Sequence, residues 1–152
     1  MKISGGILPF KVENGEIKVF LGHMGGPFWK NKKRSWSIFK GEVEKGEDLL
    51  DAAKREFKEE TSKEIEGEFI PLGSVERSGK RVYVWAVNRD LDTDISSNLI
   101  KIKWPPKSNK TVEFPEMDRA KWFNLKEAKE ILSLYLLPFL DRLERLVKEG
   151  SF

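Results

Sequence analysis

The chain has 152 residues, no cysteine, and 28 basic against 25 acidic side chains, for a net charge of +3. That length suits a single domain, 1–152, with room for a real core, and the lack of cysteine excludes disulfides and thiolate metal sites. A hydrophobic share of 39% excludes disorder, and the balanced charge is not a nucleic-acid signature.

In chain order, residues 3–12 form a glycine-interrupted apolar stretch that reads as a strand. A turn at Glu13-Asn14-Gly15 leads to a second strand over 16–21, with Ile17, Val19 and Leu21 on one side. Residues 22–34 read as a loop containing Gly25-Gly26-Pro27. Its basic run, Lys30-Asn31-Lys32-Lys33-Arg34, is either a solvated loop or an electropositive rim that attracts phosphates. A short strand over 36–39 leads into Gly41, and a helix occupies 48–61. Residues 69–76 and 81–88 read as a hairpin pair around Ser78-Gly79. Residues 91–116 read as irregular, with Trp104-Pro105-Pro106 and Phe114-Pro115 as breaks. A last short strand covers 120–123, a helical region starts over 126–132, and a terminal amphipathic helix runs over 136–148. In it Leu136, Leu140, Leu143 and Val147 recur at helical spacing.

Strands, one helix, more strands and then C-terminal helices predict an α+β fold, a mixed-sheet sandwich and not a doubly wound sheet. No apolar run is long enough to span a membrane, and Met1-Lys2-Ile3 opens no signal-peptide pattern. The default expectation is a cytoplasmic soluble protein.

The helix over 48–61 carries the most chemistry. Glu56, Glu59 and Glu60 fall within little more than one turn, where like charges repel. A divalent cation would offset that repulsion, and carboxylate oxygens suit Mg²⁺ or Mn²⁺. At about 100° per residue, Leu50, Ala53 and Phe57 form the buried stripe. Glu60 lies at the edge of this stripe, Glu56 lies close to Glu60, and Glu59 stands further round. Lys54 and Lys58 fall on the solvated side, and a Glu59–Lys63 contact is open. Asp48 suits the N-cap. Arg55 can fold toward Glu47 and brace the loop before the helix.

These residues resemble the Nudix box, GX5EX7REUXEEXGU, where U is aliphatic. Gly41, Glu47, Arg55, Glu56, Glu59 and Glu60 stand at its glycine and charged positions, in register. Phe57 replaces the aliphatic residue. Ser62-Lys63 replaces the closing Gly-aliphatic pair, whose glycine ends the helix in a left-handed cap. The similarity extends to Gly5-Gly6-Ile7-Leu8, Val19-Phe20-Leu21-Gly22-His23, Gly25-Gly26-Pro27-Phe28-Trp29, the segment from Trp36 to Gly41, and Glu113-Phe114-Pro115-Glu116-Met117-Asp118. It covers nearly the whole chain and looks like a bacterial-type subgroup of predicted nucleoside-polyphosphate pyrophosphohydrolases.

The resemblance implies the Nudix αβα sandwich with a mixed sheet. It also implies Mg²⁺- or Mn²⁺-dependent hydrolysis of a diphosphate linkage, by water attack on phosphorus. The substrate would be a nucleoside diphosphate linked to another moiety, such as a nucleoside triphosphate or a dinucleoside polyphosphate. It implies Glu56 and Glu60 as metal ligands, Glu59 as ligand or general base, and Arg55 as part of the catalytic set. The Lys40 carbonyl and Glu116, with Glu113 as second choice, are further candidate ligands. Gly41 and Glu47 support them. Trp36, Phe28, Lys33 and Arg34 are candidate substrate contacts, the aromatics being equally readable as core together with Trp29. His23, the one histidine, reads more readily as structural than catalytic, and Tyr83 and Trp85 as packing. The expected partner is a small nucleotide, with no membrane and no nucleic acid, and a homodimer is one arrangement open to the protein. Two other functions remain open, removal of pyrophosphate from RNA 5′ ends and a catalytically idle nucleotide-binding sensor.

Overall fold

The computed structural model of the protein describes residues 1–150. Its elements are β1 Lys2–Glu13, β2 Glu16–Met24, β3 Trp36–Ser37, β4 Phe39–Glu42, α1 Leu49–Thr61, β5 Ile70–Arg77, β6 Lys80–Asn88, β7 Leu99–Lys103, β8 Thr111–Pro115, β9 Met117–Asn124, α2 Leu125–Ile131 and α3 Leu137–Lys148. A 3₁₀ turn, Leu134–Leu136, precedes α3. Among the described residues no helix is long and apolar enough to cross a membrane.

Seven strands form one sheet, with order β3-β2-β1-β6-β5; β4 pairs with β1 and β9 with β2. Among the described residues β1 and β6 are the one pair of strands in this sheet that runs parallel, which makes the sheet mixed. β1 is central, and its residues Gly5 to Phe10 are all buried. Such a run is what a strand covered on both faces requires. Side-chain alternation divides the core accordingly. Leu8, Phe10, Val19 and Leu21 pack with Leu132, Phe139, Leu140 and Leu143 from the C-terminal helices. Ile7, Phe20 and Phe39 pack with Ala53 and Phe57 of α1. The result is an α+β sandwich with α1 on one face and α2–α3 on the other.

Two turns set the register of the hairpins. Asn14 and Gly15 have φ of 53° and 76°, and Ser78 and Gly79 have 50° and 75°. Two successive positive φ values make the two-residue turn whose twist matches paired strands. The second turn aligns Arg77 with Lys80.

The helices begin where their caps dictate. The Asp48 carboxylate accepts from the backbone N–H of Leu50 and Asp51 at 3.1 and 3.2 Å. Asn124 and Glu127 form a reciprocal capping box for α2. At the other end of α1, Ser62 adopts the left-handed conformation, with φ of 63°. Its hydroxyl donates to the Ser96 carbonyl, so the closing turn forms without glycine.

Several sequence readings need correction. Residues 91–116 are not irregular throughout, since β7 and β8 make a separate antiparallel hairpin. The residues read as loop from Gly22 onward begin as strand, because β2 runs on to Met24 and pairs with β3 and β9. The last strand begins at Met117, three residues before the segment read as strand. In α1 the buried face includes Ala52, Glu60 and Thr61, while Leu50 lies at its margin.

Phe57 shows why an aromatic residue fits an aliphatic position of the box. It is fully buried, edge-on to Phe39 with centroids 5.4 Å apart and 6.5 Å from Phe20. Phe57→Ala is expected to cost about 3–5 kcal/mol in chemical denaturation, the range for deleting a buried phenyl group. A loss below about 1 kcal/mol would contradict this packing.

Candidate active site

The carboxylates of α1 occupy three different environments. Glu60 follows Phe57 into the core and is fully buried. Among the described residues neither of its oxygens has a hydrogen-bond partner. Burial, and after it the charges of Glu116 and Glu56, push its pKa well above the usual carboxylate range. Glu56 is nearly buried, with its side chain 14% exposed. Desolvation raises its pKa, and Arg55 opposes the rise. The Glu59 side chain is 46% exposed.

Arg55 ties this face to the preceding loop. Its Nε and Nη2 donate to the two Glu47 oxygens at 2.8 and 3.0 Å, a bidentate pair. Nη2 also donates to the Glu42 carbonyl at 3.0 Å. Nη1 donates to Glu56 at 2.9 Å and to Glu59 at 3.2 Å. The brace between Arg55 and Glu47 thus forms as expected, and the same guanidinium also aligns two further carboxylates. The Glu59–Lys63 contact does not form, because Lys63 pairs with Asp92 at 2.7 Å.

The Arg55 hydrogen bonds, with the Glu44 amide, hold the Glu47 carboxyl at about 2. In the unfolded chain it would titrate near 4.5. A lowered folded pKa gives stabilisation that is present above the unfolded value and lost as pH falls toward the folded one. Glu47→Gln should therefore destabilise the protein at pH 6 and have almost no effect at pH 2. Denaturant titrations at both pH values check this, and an equal penalty at both would contradict it.

Gly41 on β4 is where Glu56 comes to rest. A methyl group at position 41 would lie 2.0 Å from the Glu56 carboxyl carbon and 2.1 and 2.5 Å from its oxygens. Only hydrogen fits there.

Glu116, between β8 and β9, is brought up by the 96–98 segment. The amides of Ser96 and Asn98 donate to the Thr61 and Glu59 carbonyls at 3.2 and 2.9 Å. They thereby satisfy two of the carbonyls that a helix end leaves unpaired. Asn98 in turn accepts from the Glu116 amide through its carbonyl at 2.9 Å and donates its side-chain amide to Glu116 Oε1 at 3.1 Å. No local sequence pattern marks Asn98.

Lys40, Gly41, Glu56, Glu59, Asn98 and Glu116 line a cleft of about 550 Å³, and Glu60 lies buried behind its surface. An apolar annex of about 260 Å³ shares Met24, Trp29, Lys40 and Glu116 with it. Phe28, Ile100, Ile102 and Phe114 add its walls, so the β7–β8 hairpin forms one side of the annex.

A divalent cation fits this donor set. A buried carboxylate without a partner costs several kcal/mol unless it is protonated or meets a cation. Glu60 meets that description, and Glu56 and Glu116 bear on it electrostatically. Among the described residues no three carboxylates or histidines already converge on one point. Arg55 draws Glu56 and Glu59 toward its own charge.

The other expected site residues divide between these spaces and positions outside them. Arg34 does not line the cleft; its Nη1 donates to the Lys129 and Leu132 carbonyls at 3.0 and 2.8 Å and fastens the loop to the end of α2. Lys33 is exposed and lines neither cavity. Trp36 is buried against His23 and Phe123. Phe28 lines the annex, and Trp29 lines both spaces. Glu113 faces Lys101 across the β7–β8 hairpin and lines neither space. His23 is buried and pairs with Asp118 at 2.8 Å, away from the acidic cleft.

A family model described as NUDIX domain matches residues 6–143. No curated protein matches the chain. Among solved structures, a Caenorhabditis elegans Ap4A hydrolase binary complex superposes with a TM-score of 0.67 at 22% identity, covering 98% of this chain and 99% of the other. The NUDIX domain of Shewanella oneidensis NrtR, complexed with ADP ribose, gives 0.67 at 13% identity, covering 95% and 87%. The MutT protein from Methanosarcina mazei Go1 gives 0.62 at 22% identity, covering 97% and 95%. At these identities the likeness establishes the fold.

Proposed function

Because this chain belongs to the NUDIX family, we propose that it is a pyrophosphohydrolase that cleaves a diphosphate linkage in a nucleotide derivative, with Mg²⁺ or Mn²⁺. The observation that carries this reading is Glu60, a fully buried carboxylate without a hydrogen-bond partner among the described residues, which feels the charges of Glu116 and Glu56, two carboxylates that line a nucleotide-sized cleft. Glu56 and Glu60 would hold the cation, with Glu116 and the Lys40 carbonyl as further donors. When bound, the cation offsets phosphate charge and acidifies the attacking water.

Glu59 is the most exposed of the three helix carboxylates. It would take the proton as the water oxygen bonds to phosphorus and the bridging P–O bond breaks. Arg55 keeps Glu56 and Glu59 aligned from one side, and Gly41 leaves the space that Glu56 occupies. The apolar annex around Phe28 and Trp29 suits a flat base. The dinucleoside polyphosphate and ADP ribose named for two proteins of this fold are compounds of the proposed substrate class.

The test is a panel of nucleoside triphosphates, dinucleoside polyphosphates and nucleoside diphosphate sugars with Mg²⁺ or Mn²⁺. Release of a nucleotide product from at least one is expected. No turnover of any would remove the enzymatic reading.

A further inference from the structure

The cleft has a second wall, of opposite charge, that the acidic helix does not explain. The β5–β6 turn sets Arg77 opposite Lys80, and the parallel pairing of β6 with β1 sets Lys80 opposite Lys2. Three cations thus stand side by side on three adjacent strands. All three are exposed, and all line the same cleft as Glu56, Glu59 and Glu116. Directly opposed like charges destabilise a sheet. Lys2 is partly compensated by Glu42 at 3.5 Å. Arg77 and Lys80 form no ion pair among the described residues. Protection of a sheet edge accounts for a cation on β5, which is an edge strand, but not for Lys2 and Lys80 on strands paired at both sides.

Arg77 is also held in place. Its guanidinium sits 3.9 Å from the ring centroid of Tyr135, whose body packs against the α3 core, and Lys40 Nζ approaches the same ring at 5.8 Å. An arginine already stacked on an aromatic ring has less side-chain freedom to lose when it binds an anion.

We propose that Arg77, Lys80 and Lys2, with Tyr135 as the platform for Arg77, form a second anion subsite for the phosphates lying away from the acidic wall. The subsite selects nucleotides with three or more phosphates over those with a two-phosphate bridge. This rests on the hydrolytic reading above. A longer phosphate chain carries more negative charge than a cation held at the acidic wall can balance, and the opposite wall supplies the remainder.

The test uses the full chain and the Arg77→Gln/Lys80→Gln variant, which keeps most of each side-chain stem. Calorimetry with inorganic tripolyphosphate, in the absence of divalent cation, should show binding to the wild type. Affinity should be at least tenfold lower in the variant and restored in Arg77→Lys/Lys80→Arg. With Mg²⁺, KM for adenosine tetraphosphate should rise at least tenfold in the Gln variant, by more than kcat falls and by more than KM rises for ADP ribose. Wild-type and Gln-variant protein binding tripolyphosphate equally, or no binding by the wild type, overturns the subsite. So does an equal rise in KM for both nucleotides. If nothing is turned over, the hydrolytic reading fails, and the calorimetry still decides the subsite on its own.

Discussion

Glu60→Gln should remove turnover while making the cation-free protein more stable at neutral and alkaline pH. The side chain is fully buried, and its two oxygens have no hydrogen-bond partner among the described residues. In the proposed reaction it holds the cation, whose stabilisation of charge is worth several kcal/mol. At 1.36 kcal/mol per tenfold in rate, kcat/KM should fall by about 10³-fold or more. Without the cation the balance reverses, because a buried amide costs less than a buried unpaired carboxylate.

The pH dependence of that gain has a definite sign. Burial, with the charges of Glu116 and Glu56, raises the folded pKa of Glu60 well above the usual glutamate value. Below the usual value the side chain is protonated in both states and contributes no difference. As pH rises from there to the folded pKa, the unfolded chain has released its proton while the folded chain keeps it, so folding stability falls. Melting curves in EDTA should therefore show little gain for Glu60→Gln at pH 4 and a clear gain at pH 8. A melting temperature lower than wild type at pH 8 would contradict the description of Glu60 as an unpartnered buried charge.

Gly41→Ala should lose much of its activity with little change in stability. The new methyl group would lie within 2.0–2.5 Å of the Glu56 carboxyl group. That group is the far end of a flexible side chain, so it can swing away at little cost. Gly41 does not have a positive φ, so alanine introduces no backbone strain. In a strand, alanine is favoured over glycine by roughly 0.5–1 kcal/mol, and melting should stay close to wild type. Glu56, however, is driven from its position beside Glu60. Displacing a reacting or ligating group by about 1 Å can cost about 10²-fold, and a fall in kcat/KM of that size is expected. Wild-type turnover in Gly41→Ala would show that Glu56 is not needed where it sits.

Local chemistry made parts of this molecule readable in advance. The Asp48 cap, the Asn14-Gly15 turn and the pairing of Arg55 with Glu47 each depend on residues close in sequence. They form as their side chains dictate. Hidden features came from distant segments. Helical geometry put Glu60 at the margin of the buried face, but its complete burial comes with the packing of α1 against β1 and β4 of the sheet.

Other features were obscured or misread. The alternation Ile100-Lys101-Ile102-Lys103 is a strand signal, masked by the nearby prolines at 105, 106 and 115. Arg34 carried the charge expected of a phosphate contact, yet the carbonyls that engage it lie about a hundred residues away. Lys2, Arg77 and Lys80 have no local pattern at all. They meet only through the register of β1, β6 and β5.

Turnover of a nucleoside polyphosphate by EDTA-stripped protein, measured against added Mg²⁺ for wild type and Glu60→Gln side by side, tests the cation-dependent cleft most directly. Turnover should be absent without the cation, rise to saturation in the wild type, and stay at least about 10³-fold lower in Glu60→Gln. Equal turnover in EDTA and in Mg²⁺, or equal rates for the two proteins at saturating Mg²⁺, would contradict it.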